Sequence, residues 1–472
     1  MKKFRNPLFY ITVTAISSLL IYFVLVFGKQ LEMGRQIAVS ASHNKSYLNQ
    51  FTDNFIHNQT GPLAILLAQI IVILLAGSLL GFICSKIGQP RVIGEILAGI
   101  ALGPSLLGRY SPELSNAIFP VPSLGNLQFL SQVGLIIFMF VIGMELDLKA
   151  LKNKTRDAVV ISHASIFIPF TLGIALAYFV YQRLAPPGIP FFAFGLFFGI
   201  AMSITAFPVL ARICQERGIT KTRLGALAIT CAATDDVTAW CILAVVVAVV
   251  KAGSVFSALY TILLAVSYVI IMLKVVKPLM AKFYNRYLTS GNIGAPIAVL
   301  FLTLIISAYI TEVIGIHALF GAFLAGIAMP DNTAFRDTII EKIKDVALFL
   351  LLPLFFVFTG LRTQIGLLND VYLWKIFGLI ILLAITGKFA GSTLAAKFVG
   401  QNWRDSLSIG ALMNTRGLVE LIVLNIGFDL GVINSQVFTM MVIMALVTTL
   451  MTVPALDLII KVFGKNEDVA ES

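Results

Sequence analysis

Charged residues are scarce in this chain of 472 residues, since only 12% are Asp, Glu, Lys or Arg while 58% are hydrophobic. The mean hydropathy of +0.95 is far above what a water-soluble domain carries without exposing apolar surface to water. The composition therefore excludes a soluble globular protein and predicts an all-α polytopic membrane protein.

Cysteine and histidine are equally rare, with four of each. The four cysteines lie within or at the edge of apolar segments and have no CxxC spacing; they are Cys84, Cys214, Cys231 and Cys241. Metal sites of the zinc or cluster type need closely spaced Cys and His ligands. The sequence accordingly predicts no resident metal, no nucleotide and no other cofactor.

Basic residues outnumber acidic ones by 34 to 23, which gives a net charge of +11. A nucleic-acid-binding protein concentrates its basic residues on one face. Here they occupy short loops between long apolar runs. We therefore expect the charge to reflect membrane topology and predict no nucleic-acid partner.

Fourteen segments are apolar and long enough to cross a lipid bilayer or to enter it as shorter, broken helices. Their approximate spans are 8–28, 63–85, 92–107, 125–145, 157–181, 190–213, 224–250, 255–273, 295–314, 317–330, 345–361, 371–396, 405–427 and 434–460. The first lacks a signal-peptidase site, so we interpret 1–62 as a retained signal-anchor helix with an outer loop. Residues 63–462 then form the main transmembrane domain, and 463–472 a cytoplasmic tail.

The distribution of Lys and Arg orients these segments. With the N-terminus inside, most basic residues fall in the inner loops, as the positive-inside rule requires. The sequence therefore predicts a multi-pass protein of the inner (plasma) membrane with both termini in the cytoplasm.

Segments 63–250 and 295–460 form two halves of six segments with opposite orientation. In each half the fifth segment contains residues that oppose a continuous helix, at Thr205–Pro208 and at Asn414–Gly417. Matching interruptions in inverted halves are typical of crossed, broken helices around an ion site at the membrane midplane. A pair of incidental kinks is the alternative. Pro208 and Gly417 are the expected helix breakers.

Asp235 and Asp236 lie inside the apolar segment 224–250. Neighbouring helix positions point about 100° apart, so the two carboxylates are expected to have different roles. A buried carboxylate that binds either a proton or a hard monovalent cation couples the two by competition. Further oxygen ligands are expected from Thr205, Thr234 and Asn414. A buried ion pair that only orients helices is the alternative.

Two basic residues lie deep within apolar segments, where an unpaired charge costs at least about 2.5 kcal/mol. Lys388 is the natural counter-charge of the pair, with Asp235 as its expected partner. Lys388 either carries a proton or forms a purely structural ion pair with Asp235. Arg416 stands four residues before Glu420, a spacing that allows an ion pair on one helix face. We interpret that pair as a structural anchor.

Several stretches resemble the monovalent cation:proton antiporter-2 family. The sequences AMSITAFPVLARICQERG at 201–218 and AATDDVTAWCILAVVVA at 232–248 carry the resemblance, as do QPRVIGEILAGIALGPSLLGR at 89–109 and GLIIFMFVIGMELD at 134–147. MNTRGLVELIVLNIGFDLGVI at 413–433 is similar to the plant, fungal and bacterial cation/proton exchanger branch.

The resemblance implies a sodium/proton antiporter fold, a homodimer, and an elevator movement of a core domain against a dimerisation domain. By position the core is about 157–250 and 371–460, and the dimerisation part about 63–145 and 255–362. The second acid, Asp236, is expected to bind Na⁺ or K⁺ and the first, Asp235, to pair with Lys388. The expected function is exchange of that cation for H⁺.

Two features depart from the exchanger branch. In many of its members the residue pair at this position resembles Asn-Asp. This chain has Asp-Asp, a pair that resembles that of electrogenic antiporters. The helix at 8–28 is an addition to the family core. A channel-like or sensor protein on the same fold, without obligatory proton exchange, is the alternative function. An intramembrane aspartyl protease is disfavoured because its YD and GxGD motifs are missing from the sequence.

Overall fold

A computed structural model describes residues 5–32, 47–145, 156–220, 222–252, 255–288, 294–330 and 333–464. Within these ranges the ordered secondary structure consists of helices, with no strand. The chain divides into two units, Met1–Gly61 and Pro62–Ser472. The proposed tail at 463–472 lies largely outside the described residues.

The first unit contains helix α1 (Arg5–Gly28), a 3₁₀ turn (Lys29–Glu32) and helix α2 (Tyr47–Gln59). Its apolar side chains from Phe9 to Phe27 are almost all exposed. A helix of this length and apolarity is long enough to cross a membrane. It coincides with the first predicted segment.

The second unit begins with the first inverted half. Its helices are α3 (Pro62–Lys86), α4 (Arg91–Leu102), α5 (Leu107–Tyr110), α6 (Pro112–Ile118), α7 (Leu124–Glu145), α8 (Arg156–Leu184), α9 (Phe191–Ser203), α10 (Phe207–Glu216) and α11 (Arg223–Ala252). Then α12 (Val255–Ile271) continues through a π-helical turn (Met272–Val276) into α13 (Lys277–Leu288).

The second half repeats this order. Its helices are α14 (Gly294–Ile314), α15 (Ala318–Ile327), α16 (Thr333–Val346), α17 (Leu352–Arg362), α18 (Val371–Ile385), α19 (Gly391–Phe398), α20 (Trp403–Met413), α21 (Leu418–Asp429) and α22 (Ser435–Phe463). Two π-helical turns, Ala347–Leu351 and Thr386–Ala390, join α16 to α17 and α18 to α19. Asp370, Asn402 and Asn434 cap α18, α20 and α22 with side-chain oxygens that accept backbone N–H groups.

Thirteen helical stretches of the described residues are long and apolar enough to cross a membrane, and α15 is a shorter apolar helix. Together they match the fourteen predicted segments. The predicted all-helical architecture with two broken helices is confirmed. The protein is a multi-pass membrane protein.

Most helices of the second unit pack in two sets. The scaffold set consists of α3, α4, α7 and α14–α17, and the site set of α8–α11 and α18–α22. Small residues let scaffold backbones touch: a Cβ on Gly99 would lie 2.1 Å from the Val357 carbonyl oxygen, and one on Gly143 would lie 2.1 Å from that of Phe323. Between the sets, Trp240 of α11 stacks on Phe323 of α15.

Candidate functional site

Two helix interruptions lie inside the site set. Helix α9 ends at Ser203 and α10 begins at Phe207, with extended backbone between them. Helix α20 ends at Met413 and α21 begins at Leu418. Pro208 occupies the first turn of α10, where its missing N–H costs no helical hydrogen bond. It therefore lies in the first turn of the second half-helix and not within the unwound stretch.

The two interruptions bond to each other. The Ala206 N–H donates to the Thr415 carbonyl at 3.0 Å, and the Thr205 hydroxyl oxygen lies 3.2 Å from the Met413 carbonyl oxygen. Gly417 keeps the crossing close, because a Cβ at this position would lie 3.0 Å from the Val209 side chain. Unwound backbone inside a membrane needs such partners, since lipid offers none. The interruptions therefore form one crossed-helix unit.

Arg416 is fully buried at this crossing. Its guanidinium group donates to the carbonyls of Ala201 at 3.2 Å and Met202 at 2.7 Å, in the last turn of α9, and approaches Glu420 at 3.3 Å. The cation lies at the negative end of α9, and Glu420 lies in the positive first turn of α21. The structure thus brings Arg416 and Glu420 together and adds two carbonyl contacts that the sequence did not reveal.

Asp235 is fully buried and its two oxygens accept four hydrogen bonds. Oδ1 accepts from the Ser162 hydroxyl at 2.6 Å. Oδ2 accepts from Ser165 at 3.0 Å, from Thr205 at 2.7 Å and from Lys388 Nζ at 3.1 Å. Both oxygens of this carboxylate therefore already accept hydrogen bonds from protein groups.

Lys388 is also fully buried and lies in the π-helical turn Thr386–Ala390. Besides Asp235, its Nζ donates to the Ser165 hydroxyl at 2.9 Å and to the Thr205 hydroxyl. A π-helical turn shifts the register of a helix and is frequent at functional sites. The predicted Asp235 and Lys388 contact is present in the structure. Ser162 and Ser165 were missed, although their spacing of three on the apolar helix α8 places two hydroxyls on one face.

Asp236 differs sharply from its neighbour. It is 5% exposed, and among the described residues its Oδ1 has no hydrogen-bond partner. Its carboxyl group lies near the Phe207 N–H at the beginning of α10. An anion at a helix N-terminus is stabilised by the free N–H groups and the helix dipole. Asp236 is thus held in place with one oxygen still available to a ligand.

The remaining predicted ligands fall into two groups. Asn414 lies 4% exposed in the second interruption, and among the described residues its Oδ1 likewise has no hydrogen-bond partner. Thr234 is half-buried and donates its hydroxyl hydrogen to the Thr230 carbonyl in the same helix at 2.9 Å. Thr205 is engaged with Asp235 and Lys388. No cluster of three or more His, Cys, Asp or Glu in the described residues has the geometry of a metal site.

Comparisons with known proteins give matches over most of the chain. A family model described as "Sodium/hydrogen exchanger, transmembrane" matches residues 70–460. The chain is 43% identical over 410 residues to "Na(+)/H(+) antiporter NhaS4" of Synechocystis sp., which covers 86% of this chain and 98% of that protein.

Two further relatives are longer. "Cation/H(+) antiporter 17" of Arabidopsis thaliana is 41% identical over 83% of this chain, and "K(+)/H(+) antiporter 1" of Saccharomyces cerevisiae is 33% identical over 86% of it. The chain spans about half the length of each, 48% and 47%. The solved structure of the sodium proton antiporter MjNhaP1 from Methanocaldococcus jannaschii shares the fold. Its TM-score is 0.62 at 17% identity, and the match covers 86% of this chain and 100% of that one.

Proposed function

The chain belongs to the sodium/hydrogen exchanger family, and on that premise we propose that it is a secondary active antiporter that exchanges Na⁺ or K⁺ for H⁺. The observation that carries the proposal is the contrast between the two acids. The Asp235 carboxylate accepts four hydrogen bonds, whereas one oxygen of Asp236, beside a helix N-terminus, accepts none from the described residues.

Exchange follows from competition at Asp236. A hard monovalent cation prefers oxygen ligands, and the Asp236 carboxylate supplies one with a negative charge. Asn414 Oδ1 and the carbonyls of the interruptions are candidate further ligands. A proton on the same carboxylate removes the charge and the lone pair that the cation needs. The two ions therefore alternate at one group.

Asp235 and Lys388 provide the fixed part of the site. Their opposite charges cancel, so the site holds a lysine at membrane depth without a lone buried cation. Lys388 is either a structural partner or a second proton carrier that releases its proton when the site is occupied. The four donors around Asp235 support its positioning role in both cases.

We propose that the site set moves against the scaffold set in an elevator cycle and that the protein forms a homodimer through the scaffold. The whole binding constellation lies on helices of the site set, which supports movement of the site as a body. The excess of Lys and Arg in predicted inner loops supports cytoplasmic termini and an inner-membrane location.

The transported cation is either Na⁺ or K⁺. The relatives carry both in their names, since the Synechocystis protein is a Na⁺/H⁺ antiporter and the yeast protein a K⁺/H⁺ antiporter. The direct test is cation-driven pH change in proteoliposomes with Na⁺, K⁺ and Li⁺. We expect wild-type protein to dissipate a proton gradient on cation addition and Asp236→Asn to abolish this.

Thr238→Val is the matched control for that assay. Thr238 lies in the same helix and donates only along it, to the Thr234 carbonyl at 2.9 Å. We expect this variant to retain exchange. Cation flux without any proton flux would instead support a channel-like protein on this fold, and an active Asp236→Asn variant would remove Asp236 from the mechanism.

A further inference from the structure

A cavity of about 320 Å³ lies between the two sets at the end of the membrane domain where α11 and α21 terminate. Residues that line it include Gln128, Lys251, Glu312, His317 and Asp429. Helix α11 carries the two acids, and α21 follows the second interruption. The helices that hold the ion site therefore reach the scaffold at this cavity.

Asp429, the last residue of α21, contacts two scaffold helices. Its carboxylate forms an ion pair with Arg362 of α17 at 2.8 Å and accepts from Gln128 of α7 at 3.1 Å. Arg362 is itself fixed, because its guanidinium lies 4.4 Å above the Phe358 ring and donates to Asn425 at 3.1 Å. These contacts join the site set to the scaffold set.

A second ion pair crosses the same boundary. Lys251 of α11 lies 3.4 Å from Glu312 of α14. The other Glu312 oxygen accepts the N–H of Ala318 at 2.8 Å, at the beginning of α15. Glu312 is thus held by the scaffold while it binds a residue of the site set.

Two ion pairs at the opposite end provide a comparison, because each stays within one set. Arg217 and Asp457 both belong to the site set, and Lys344 and Glu145 belong to the scaffold set, with a separation of 2.6 Å for the latter pair. They resemble the cavity pairs in exposure, but neither of them joins one set to the other.

We propose that Arg362–Asp429 and Lys251–Glu312 form a latch that closes this end of the protein and must open in each transport cycle. The inference rests on the proposed elevator exchange. The pairs are partly exposed to water. The side-chain exposures are 17% for Arg362 and 32% for Asp429, and 31% for Lys251 and 50% for Glu312. Pairs of this kind shift an equilibrium by about two- to fivefold each, which suits a contact that is repeatedly broken.

The first test measures opening without any ion flux. Gln132→Cys places a thiol in the cavity lining, in a background in which the four native cysteines are replaced by alanine. A membrane-impermeant maleimide is applied from each side of the membrane. We expect Asp429→Asn with Glu312→Gln to accelerate labelling by about tenfold if the pairs act independently, and Asp457→Asn to leave the rate unchanged.

Charge exchange distinguishes an ion-pair effect from a general loosening. We expect Arg362→Asp with Asp429→Arg to return labelling to about the parent rate, while either single change accelerates it. Equal labelling in the parent and the Asp429→Asn/Glu312→Gln variant would overturn the latch. The latch would also be overturned if Asp457→Asn were labelled as fast as the Asp429→Asn/Glu312→Gln variant. Failure of the charge exchange to restore the parent labelling rate would overturn it as well.

A cross-link tests whether the latch must open for transport. In the cysteine-free background, Gln128→Cys with Asp429→Cys is bridged by Hg²⁺ and then released with excess thiol. We expect bridging to stop exchange and release to restore it. Undiminished exchange in fully bridged protein would refute the latch. If exchange is missing in both the bridged and the released states while the maleimide labelling behaves as expected, the result counts against the proposed antiport alone.

Discussion

Removal of the Asp235 charge is the most informative perturbation of the buried network. In Asp235→Asn the Lys388 ammonium loses its counter-charge while both residues stay fully buried. Among the described residues its remaining hydrogen-bond partners are the hydroxyls of Ser165 and Thr205, which carry no charge. Breaking one side of a buried ion pair costs about 3 to 5 kcal/mol. We therefore expect Asp235→Asn to unfold at clearly lower temperature than wild type in detergent.

The double variant Asp235→Asn/Lys388→Met provides the control. It removes both charges and replaces the lysine with an apolar side chain of similar length, so most of the lost stability should return. The hydroxyls of Ser162, Ser165 and Thr205 can bond to the asparagine oxygen in either background. Thermal unfolding of the purified proteins measures both effects. A single variant as stable as wild type, or a double variant no more stable than the single one, would refute the reasoning.

Three further predictions concern Asp236, the helix crossing and the scaffold packing. Asp236→Asn should keep the wild-type unfolding temperature or exceed it, because it removes a charge from a buried oxygen that lacks a described partner; a large drop in thermal unfolding would show a structural role. Arg416→Leu should lower stability by about 3 to 5 kcal/mol, since Glu420 and the Ala201 and Met202 carbonyls lose a buried cation; unchanged thermal unfolding would contradict it. Gly143→Val should sharply reduce the yield of folded protein in size-exclusion chromatography, whereas Gly125→Val, with nothing within 4 Å of its Cβ, should not; equal yields would contradict the packing argument.

The helix plan could be predicted because the bilayer imposes length and apolarity on each segment separately. All fourteen predicted segments correspond to helical stretches, and even the short α15 lies within the predicted 317–330. The two interruptions could also be predicted, because Pro208 and Gly417 are local signals in the sequence. The first residue of α10, Phe207, could not be predicted, since a proline fits the first turn of a helix as well as a break.

Side-chain partners were harder to predict than helices. Thr205 is predicted as an ion ligand, and the sequence gives no sign that its hydroxyl contacts both Asp235 and Lys388. The direction of a side chain in unwound backbone does not follow from helical periodicity. Ser162 and Ser165 lie on another helix, about 70 residues before Asp235, and only packing brings them together. Long-range contacts of this kind leave no signal in a single segment.

The division of roles between adjacent acids also bears on the charge moved per cycle. If only Asp236 exchanges a proton for a monovalent cation, the site carries the same charge in both loaded states and transport is electroneutral. A second proton would have to come from Lys388, because the oxygens of Asp235 already accept four hydrogen bonds. Exchange would then move one net charge, worth about 2.3 kcal/mol per 100 mV. That energy shifts an ion ratio about 50-fold, so whether Lys388 keeps its proton decides how strongly the membrane potential drives the exchange.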